Sequence, residues 1–473
     1  MTQRLYDTRQ QQLIDFTPLT EGVVTMYVCG PTVQSAPHVG HLRSALVYDQ
    51  IRRWFERSGL RVVLVRNVTD IDDKTLANAT EHEPWWALAY RVEGEFSAAY
   101  QALRVLPPTY EPRATASIPE MQAIIARLIE RGHAYTATDG SGDVYFDTAS
   151  WADYGELTHQ QPADMEAGDG AVRAKRSPQD FALWKGRKDG EPESASWESP
   201  WGRGRPGWHI ECSAMSTKYL GSEFDLHGGG RDLRFPHHEN ELAQSRAAGD
   251  AFARHWLHNG LVSLGGTKMS KSIGNVVSAK QLLDERRPLI VRYLLGSAHY
   301  RSTIELSDEA YAEAEAAFAR IEGFLERAGR AGASLEADEP LRHRETEVAA
   351  EFNEAMLDDF SIPQAIAVIH ETVTAGNQAL DAGNTATAIA LAEQVRIMLD
   401  VLGCDPYAAE WADASDSDNT YAALDALVRS LLEQRAQARA DKDWTTADRI
   451  RDSLAAAGIN VEDTPQGAHW SVS

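Results

Sequence analysis

A chain of 473 residues with a hydrophobic fraction of 43% is too long for one small core and points to about two to four domains. Its formal net charge of −24, from 46 basic and 70 acidic side chains, argues against non-specific attachment to polyanions, while a local basic stripe can still hold nucleic acid. No run of about 18 apolar residues is present, Met1 to Asp7 is polar, and three scattered cysteines, Cys29, Cys212 and Cys404, cannot staple a fold, so no membrane span and no disulfide framework are expected, and a cytoplasmic protein with reduced thiols is.

Val23 to Cys29 reads as a short buried strand. After it, Leu42, Leu46, Val47, Ile51, Trp54 and Phe55 recur at helical spacing up to Gly59, and Arg61 to Arg66 is a second β-rich run. Between strand and helix lies a turn with Gly30, Pro31 and Pro37, then His38-Val39-Gly40-His41 at the mouth of the helix. A helix N-terminus in a strand, loop, helix, strand unit aims N–H groups and a positive dipole end at whatever sits above the sheet, which suits a nucleotide phosphate. Two imidazoles there can donate to a phosphoryl oxygen as charge builds up, and Gly40 lets a base or ribose come close. Taken alone, His38 and His41 read as ordinary helix-start residues.

Thr69 to Asp73 forms a polar turn beyond the second strand, at the end of the sheet where open α/β folds bind ligands. Thr69 and Asp70 can hold an ammonium there, and Asp72 and Asp73 read equally as helix N-caps. From Leu106 to Arg205 the composition changes: Pro107-Pro108, a helix from Ile118 to Gly132, a short strand Val144-Tyr145-Phe146, then a Gly/Pro/Ser/Glu-rich stretch from Lys185 to Pro206. This behaves as an insertion that splits a nucleotide-binding fold. The second half returns with Trp208 to Tyr219 and then Phe224 to Gly230, where Gly228-Gly229-Gly230 suits close packing against an adenine or ribose, or a simple turn. A helix from Phe235 to Ala248 and an apolar strand to Val262 follow.

Next comes Lys268-Met269-Ser270-Lys271-Ser272, flanked by Gly265-Gly266 and Gly274, a loop whose lysines can neutralise a triphosphate or simply be solvated. Beyond Ser302 the pattern is almost wholly helical, with amphipathic segments at Asp308 to Ala328, Glu345 to Leu357, Ile362 to Ala375, Thr385 to Leu402, Tyr421 to Ala440 and Thr446 to Ala457. The acidic run Asp413 to Asn419 reads as a linker before a module with Arg429, Arg435, Arg439, Lys442, Arg449, Arg451, Trp444 and Trp470, residue types that can meet phosphates and stacked bases or pair along their own helices.

In this order and separation, the His-x-Gly-His and Lys-Met-Ser-Lys-Ser motifs resemble the signature pair of class I aminoacyl-tRNA synthetases. Tyr27 to Val33, Arg66 to Lys74, Gly207 to Met215 and Phe235 to Glu241 narrow the resemblance to the cysteinyl-tRNA synthetase family. The expected fold is α/β, a Rossmann-like parallel-sheet catalytic domain split by an insertion and followed by an all-α helical-bundle C-terminal domain. The boundaries expected are 1–105 and 206–262 for the halves of the catalytic domain, 106–205 for the connective insertion, 263–303 for the lysine loop and stem-contact region, 304–412 for the anticodon-binding bundle and 413–473 for a basic helical module.

The resemblance implies activation of L-cysteine with ATP and Mg²⁺ and its transfer to tRNA(Cys), by a monomer with no membrane partner. It implies His38, His41, Lys268 and Lys271 as catalytic residues, and Gly30, Pro31, Thr32, Gly40, Gly228, Gly229, Gly230 and Lys271 around ATP. Thr69, Trp208, Cys29 and His237 are implied around the amino acid, with Trp208 closing the pocket. Finally, it implies one Zn²⁺ per subunit on Cys29, Cys212, His237 and Glu241. Spacing alone does not show that metal site, since His237 and Glu241 merely share a helix face and no Cys-x-x-Cys pair occurs; His238 is a rival at three residues from Glu241. Zinc suits the task because apolar pockets separate near-isosteres by only about 10², whereas a borderline-soft cation takes a thiolate and rejects a hydroxyl. Two alternatives share the motifs: the ligase of mycothiol synthesis, which joins cysteine to an amino sugar, and an idle tRNA- or nucleotide-binding homologue.

Overall fold

A computed structural model describes residues 2–160, 174–264, 267–268, 277–335, 339–411, 414–464 and 467–472, with backbone only for 267–268, 414–423, 425–426, 460, 462–464 and 467–472. The chain divides into two compact units, Met1–Ala408 and Ala409–Ser473. Among the described residues no helix is long and apolar enough to cross a membrane.

In the first unit Val23–Val28, rich in β-branched and aromatic residues, is an inner strand of a four-stranded parallel sheet. Arg61–Arg66 pairs with it on one side, Val28 opposite Arg66. Glu223–Gly230 pairs with it on the other, Val28 opposite Gly228, and Phe252–Asn259 lies beyond. The order therefore reverses at Val23–Val28, and the crevice beyond its carboxyl end is the expected place for a ligand. Tyr110 and Arg113 extend the outer edge by pairing with Val65 and Val68.

The helix Val39–Arg57 buries all six apolar residues whose spacing announced it. The helix Trp208–Leu220 and the helix Glu239–Ala248 carry the second half. The expected helix from Phe235 begins only at Glu239, preceded by short turns over Arg231–Leu233 and Arg234–His238. Between the halves stand the helix Ile118–Glu130 and a four-stranded antiparallel sheet in chain order, Ala134–Thr136, Val144–Phe146, Phe181–Gly186 and Gly204–Pro206. Ile124, Leu128, Phe146 and Phe181 of this inserted part share one core with Met215, Leu242 and Trp256, so the inserted part is packed into the catalytic core and does not hang from it.

Helices Pro288–Ser297, Asp308–Arg330, Ala350–Leu357, Ile362–Asp381 and Thr385–Leu402 complete the unit. Phe318, Ile321, Phe324 and Leu325 face inward on the longest of them, as the amphipathic pattern requires.

The second unit contains the helices Ala414–Ala440 and Trp444–Ala456 and an antiparallel hairpin, Ile459–Thr464 with Gly467–Val472. Its core holds Val428, Leu432, Ile450, Leu454 and Ile459. Two expectations change here. The acidic run is no linker from Ala414 onward, where the backbone is helical. The hairpin is absent from the almost wholly helical reading, although Ile459 and Val461, and Ala468, Trp470 and Val472, alternate as a strand requires.

Candidate active site and metal centre

A cavity of about 610 Å³ opens at the carboxyl ends of the parallel strands. Gly30, Pro31, Thr32, His38, Gly40 and His41 line it from the first half, Trp208 and Gly230 from the second, and Lys185 from the inserted sheet.

His38 and His41 are helix-start residues and cavity residues at once. His38 is the N-cap of Val39–Arg57; its Nδ1 accepts from Gly40 N–H at 3.2 Å while His41 Nδ1 accepts from His38 N–H at 3.1 Å. The reciprocal pattern satisfies two backbone donors of the helix terminus and stacks the rings 3.7 Å apart. A neutral imidazole that accepts at Nδ1 carries its proton on Nε2, so backbone capping selects the tautomer that offers Nε2–H donors on two cavity-lining residues.

Of the glycine run, only Gly230 lines the cavity. A Cβ on Gly228 would meet the Tyr48 ring at 2.3 Å and one on Gly229 the His238 ring at 2.7 Å, so these two glycines admit side chains of the protein itself. Tyr48 Oη accepts from Gly229 N–H at 2.6 Å, which locks that approach. Lys268 closes a two-residue strand, Thr267–Lys268, with its side chain outside the description; Lys271 lies outside the described residues.

Beneath this cavity the chain converges polar side chains. Cys29 follows the strand Val23–Val28, Cys212 sits in Trp208–Leu220, and His237 and Glu241 flank the start of Glu239–Ala248. Cys29 Sγ is 3.7 Å from Cys212 Sγ and 3.4 Å from Glu241 Oε1, and His237 Nε2 is 3.0 Å from Glu241 Oε1. One ligand atom from each of the four lies within 4.8 Å of the others. Tetrahedral zinc with sulfur, nitrogen and oxygen ligands needs neighbouring donors about 3.3–3.8 Å apart, so the set fits Zn²⁺. Ligand atoms of Cys29, His227, His238 and Glu241 also lie within 4.8 Å of one another.

Two of the four groups, Cys212 and Glu241, lean to the anionic form that a cation needs. Burial pushes the Cys212 thiol up, but hydrogen bonding to Cys29 and the neighbouring His237 bring it down to about 6. Burial also disfavours an acidic Glu241, yet His227 and His237 hold its carboxyl well below the usual range. Cys212, His237 and Glu241 are at most 1% exposed, and Cys29 alone of the four lines the cavity.

Trp208 is half-buried and stacks on His237, ring centroids 4.2 Å apart, so it stands between cavity and donor set. Thr69 is 1% exposed and lies one layer below the lining, with its hydroxyl on Glu211 Oε2 at 2.7 Å. Sequence reasoning missed His227, whose Nε2 donates to Glu241 Oε2 at 2.8 Å, and His209, whose Nδ1 lies 3.0 Å from His237 Nδ1. A signal for His227 existed: it is a polar residue inside a parallel strand that should be apolar on both faces.

The model of the class I (C) tRNA synthetase catalytic domain matches residues 15–316, and that of the cysteinyl-tRNA ligase anticodon-binding domain residues 422–470. A DALR domain matches 351–404. The cysteine–tRNA ligase of Clavibacter sepedonicus is 64% identical over 482 residues, covering 100% of this chain and 99% of the relative. The chain belongs to the cysteine–tRNA ligase family. The enzyme of that name from Leifsonia xyli subsp. xyli is 61% identical, with 100% of both chains covered. Among solved structures, Mycobacterium tuberculosis methionyl-tRNA synthetase in complex with methionyl-adenylate aligns with a TM-score of 0.55 at 16% identity, over 80% of this chain and 89% of that one. That likeness speaks to the fold: a class I catalytic domain with a helical C-terminal region.

Proposed function

We propose that the protein activates L-cysteine with ATP to cysteinyl-adenylate and transfers the cysteinyl group to the 3′-terminal ribose of tRNA(Cys), as a cytoplasmic monomer with one Zn²⁺ per subunit. The observation that carries this reading is the convergence of Cys29, Cys212, His237 and Glu241 beneath the cavity that His38 and His41 line, in a chain of this family. Bound there, zinc supplies a soft Lewis-acid partner for the substrate thiolate. Of the two donor sets, the one with His237 is favoured: it uses both cysteines and lies directly under the cavity wall at Trp208.

Cys29, His237 and Trp208 then shape the amino-acid pocket with Thr69 one layer behind them, and Gly30 to Thr32, Gly40 and Gly230 border the nucleotide. Attack of the cysteine carboxylate on the α-phosphorus breaks the bond to the β-phosphate. The Nε2–H groups of His38 and His41, with Lys268 and Lys271, stabilise the charge on the phosphoryl oxygens and on the leaving pyrophosphate. A ribose hydroxyl of the tRNA then displaces AMP from the carbonyl carbon. The bundle over 304–412 and the module over 413–473 receive the anticodon side of the tRNA.

The test is aminoacylation of total tRNA with labelled cysteine beside ATP–pyrophosphate exchange, with serine as control. Cysteine-specific charging is expected, and Lys271→Ala should lower exchange about 10²–10³-fold without loss of zinc. Exchange without charging of tRNA, or silence in both assays, overturns the reading.

A further inference from the structure

Below the cavity floor a chain of buried hydrogen bonds runs in one direction. The backbone N–H of Gly30 can only donate, and it donates to Asn67 Oδ1 at 2.8 Å. That bond orients the amide, so Asn67 Nδ2–H faces Thr69 Oγ1 at 3.2 Å as a donor. The Thr69 hydroxyl, accepting there, places its own proton on Glu211 Oε2 at 2.7 Å. Asn67, Thr69 and Glu211 are each 1% exposed, and among the described residues Glu211 enters no ion pair.

This chain crosses the split in the fold. Gly30, Asn67 and Thr69 belong to the first half, and Glu211 to the helix of the second half that carries Cys212 as its next residue. Gly30 is pressed so closely on this layer that a Cβ there would lie 1.7 Å from the Asn67 carbonyl oxygen. Asn67 Oδ1 also lies 3.6 Å from Cys212 Sγ. Cys29 and Cys212 come from different halves, and Asn67 and Thr69 link Gly30, the residue after one, to Glu211, the residue before the other. A buried hydrogen-bonded series with fixed donors and acceptors holds one geometry, because any slip strands a buried polar group.

We propose that Asn67, Thr69 and Glu211 form a positioning relay that sets the separation of Cys29 and Cys212, and through it the metal affinity and the Michaelis constant for cysteine. None of the three needs to touch the metal. The kinetic half of the proposal rests on the synthetase reading; the metal half does not.

The test is a double-mutant cycle in the full chain between Thr69→Val and Glu211→Ala, with Thr69→Ser and Glu211→Gln as variants that keep the bonding atoms. The probes are Zn²⁺, followed by release to a chelating dye, and Cd²⁺, followed by thiolate–metal absorption; neither needs catalysis. KM for cysteine, KM for ATP and kcat come from ATP–pyrophosphate exchange, and thermal melting identifies variants that fail to fold. Each disruptive variant is expected to weaken metal binding about 10–100-fold and to raise the cysteine KM by a similar factor, with the ATP KM unchanged. The double variant should be no worse than the worse single one, and the conservative variants should return toward the parent.

Folded variants with parental metal affinity, or losses that multiply in the double variant, overturn the relay, as does a parent that binds neither metal. If the disruptive pair does not fold, Asn67→Asp decides, since it keeps the acceptor for Gly30 and loses the donor to Thr69; parental metal affinity there overturns the proposal. A parent silent in exchange that still holds Cd²⁺, with variants that lose it, refutes the synthetase reading and leaves the relay standing.

Discussion

The first unit contains two buried polar clusters of opposite construction. One joins the helix Val39–Arg57 to the helical region: Asp49 accepts from Arg53 at 2.9 Å and from Arg292, Asp400 lies 3.3 Å from both Arg53 and Arg342, and Arg342 reaches Glu56 at 2.9 Å. Asp49, Arg53, Arg292 and Asp400 are at most 2% exposed. Arg53, Arg292 and Arg342, with Arg52 on Glu56 at 2.8 Å, meet three anions there, and donors left over turn to carbonyls, Arg292 Nη1 to Leu103 O at 2.8 Å and Arg53 Nη2 to Arg104 O at 2.9 Å. The other cluster brings the ligand atoms of two thiols, an imidazole and a carboxylate within 4.8 Å of one another. A buried cluster whose partners are complete within the chain is a joint. One whose acceptors converge on each other calls for a cation from outside.

The largest separation of the two comes from removing one member of each. Cys212→Ser should abolish stoichiometric zinc and, with it, cysteine-dependent exchange, by about 10³-fold or more if soft-ligand selection carries specificity. Metal analysis beside exchange reads both; a serine variant that keeps its zinc breaks the contrast. Asp49→Asn should leave zinc in place and instead lower unfolding free energy by about 3–5 kcal/mol, because Arg53 and Arg292 remain buried without their shared anion. Denaturant unfolding measures this, and a variant as stable as the parent means that the joint is not what holds the bundle to the catalytic helix.

Acid should act on the joint next. Burial disfavours the charged Asp49 carboxylate, but Arg53 and Arg292 more than offset this and hold it at about 2 against an ordinary value of 3.8. A depressed carboxylate contributes stability that is complete above the ordinary value and lost as pH falls through the depressed one. About 2 kcal/mol should therefore disappear between roughly pH 4 and pH 2. Asp49→Asn should flatten that part of the pH–stability curve, and parallel curves for variant and parent contradict the assignment.

The helix Val39–Arg57 and the parallel-strand crevice were legible because both rest on local periodicity: six apolar residues at helical spacing and short β-branched runs bounded by glycine and proline. The signature segments also announced which residues would meet, although their spacing could not. What stayed hidden depends on tertiary approach. No sequence pattern says whether a missing Cβ makes room for a ligand or for a neighbouring ring, and at Gly228 and Gly229 the neighbours are Tyr48 and His238. Asn67 and Glu211 lie in matched segments, but nothing in those segments says that they share a hydrogen-bonded series until the two halves close on each other. The charged joint was equally invisible, since Asp49 and Arg53 are only four residues apart on one helix and their partners Arg292 and Asp400 are hundreds of residues away.

The finest test lies at His227, where the two possible donor sets differ. Its Nε2 donates to Glu241 Oε2, while Oε1 of the same carboxylate faces Cys29 and His237. If Cys29, Cys212, His237 and Glu241 hold the metal, His227 is the outer partner that keeps the carboxylate aimed. His227→Gln should then weaken zinc by about tenfold, the low end for such partners, and leave one ion per chain at saturation. If the metal sits instead among Cys29, His227, His238 and Glu241, the same substitution removes a ligand and stoichiometric binding fails, while His237→Ala becomes the mild variant. Metal titration of the two variants side by side reads the difference directly. The reverse ranking would move the metal one layer deeper, away from Trp208 and the cavity, and would take the thiol-selection argument with it.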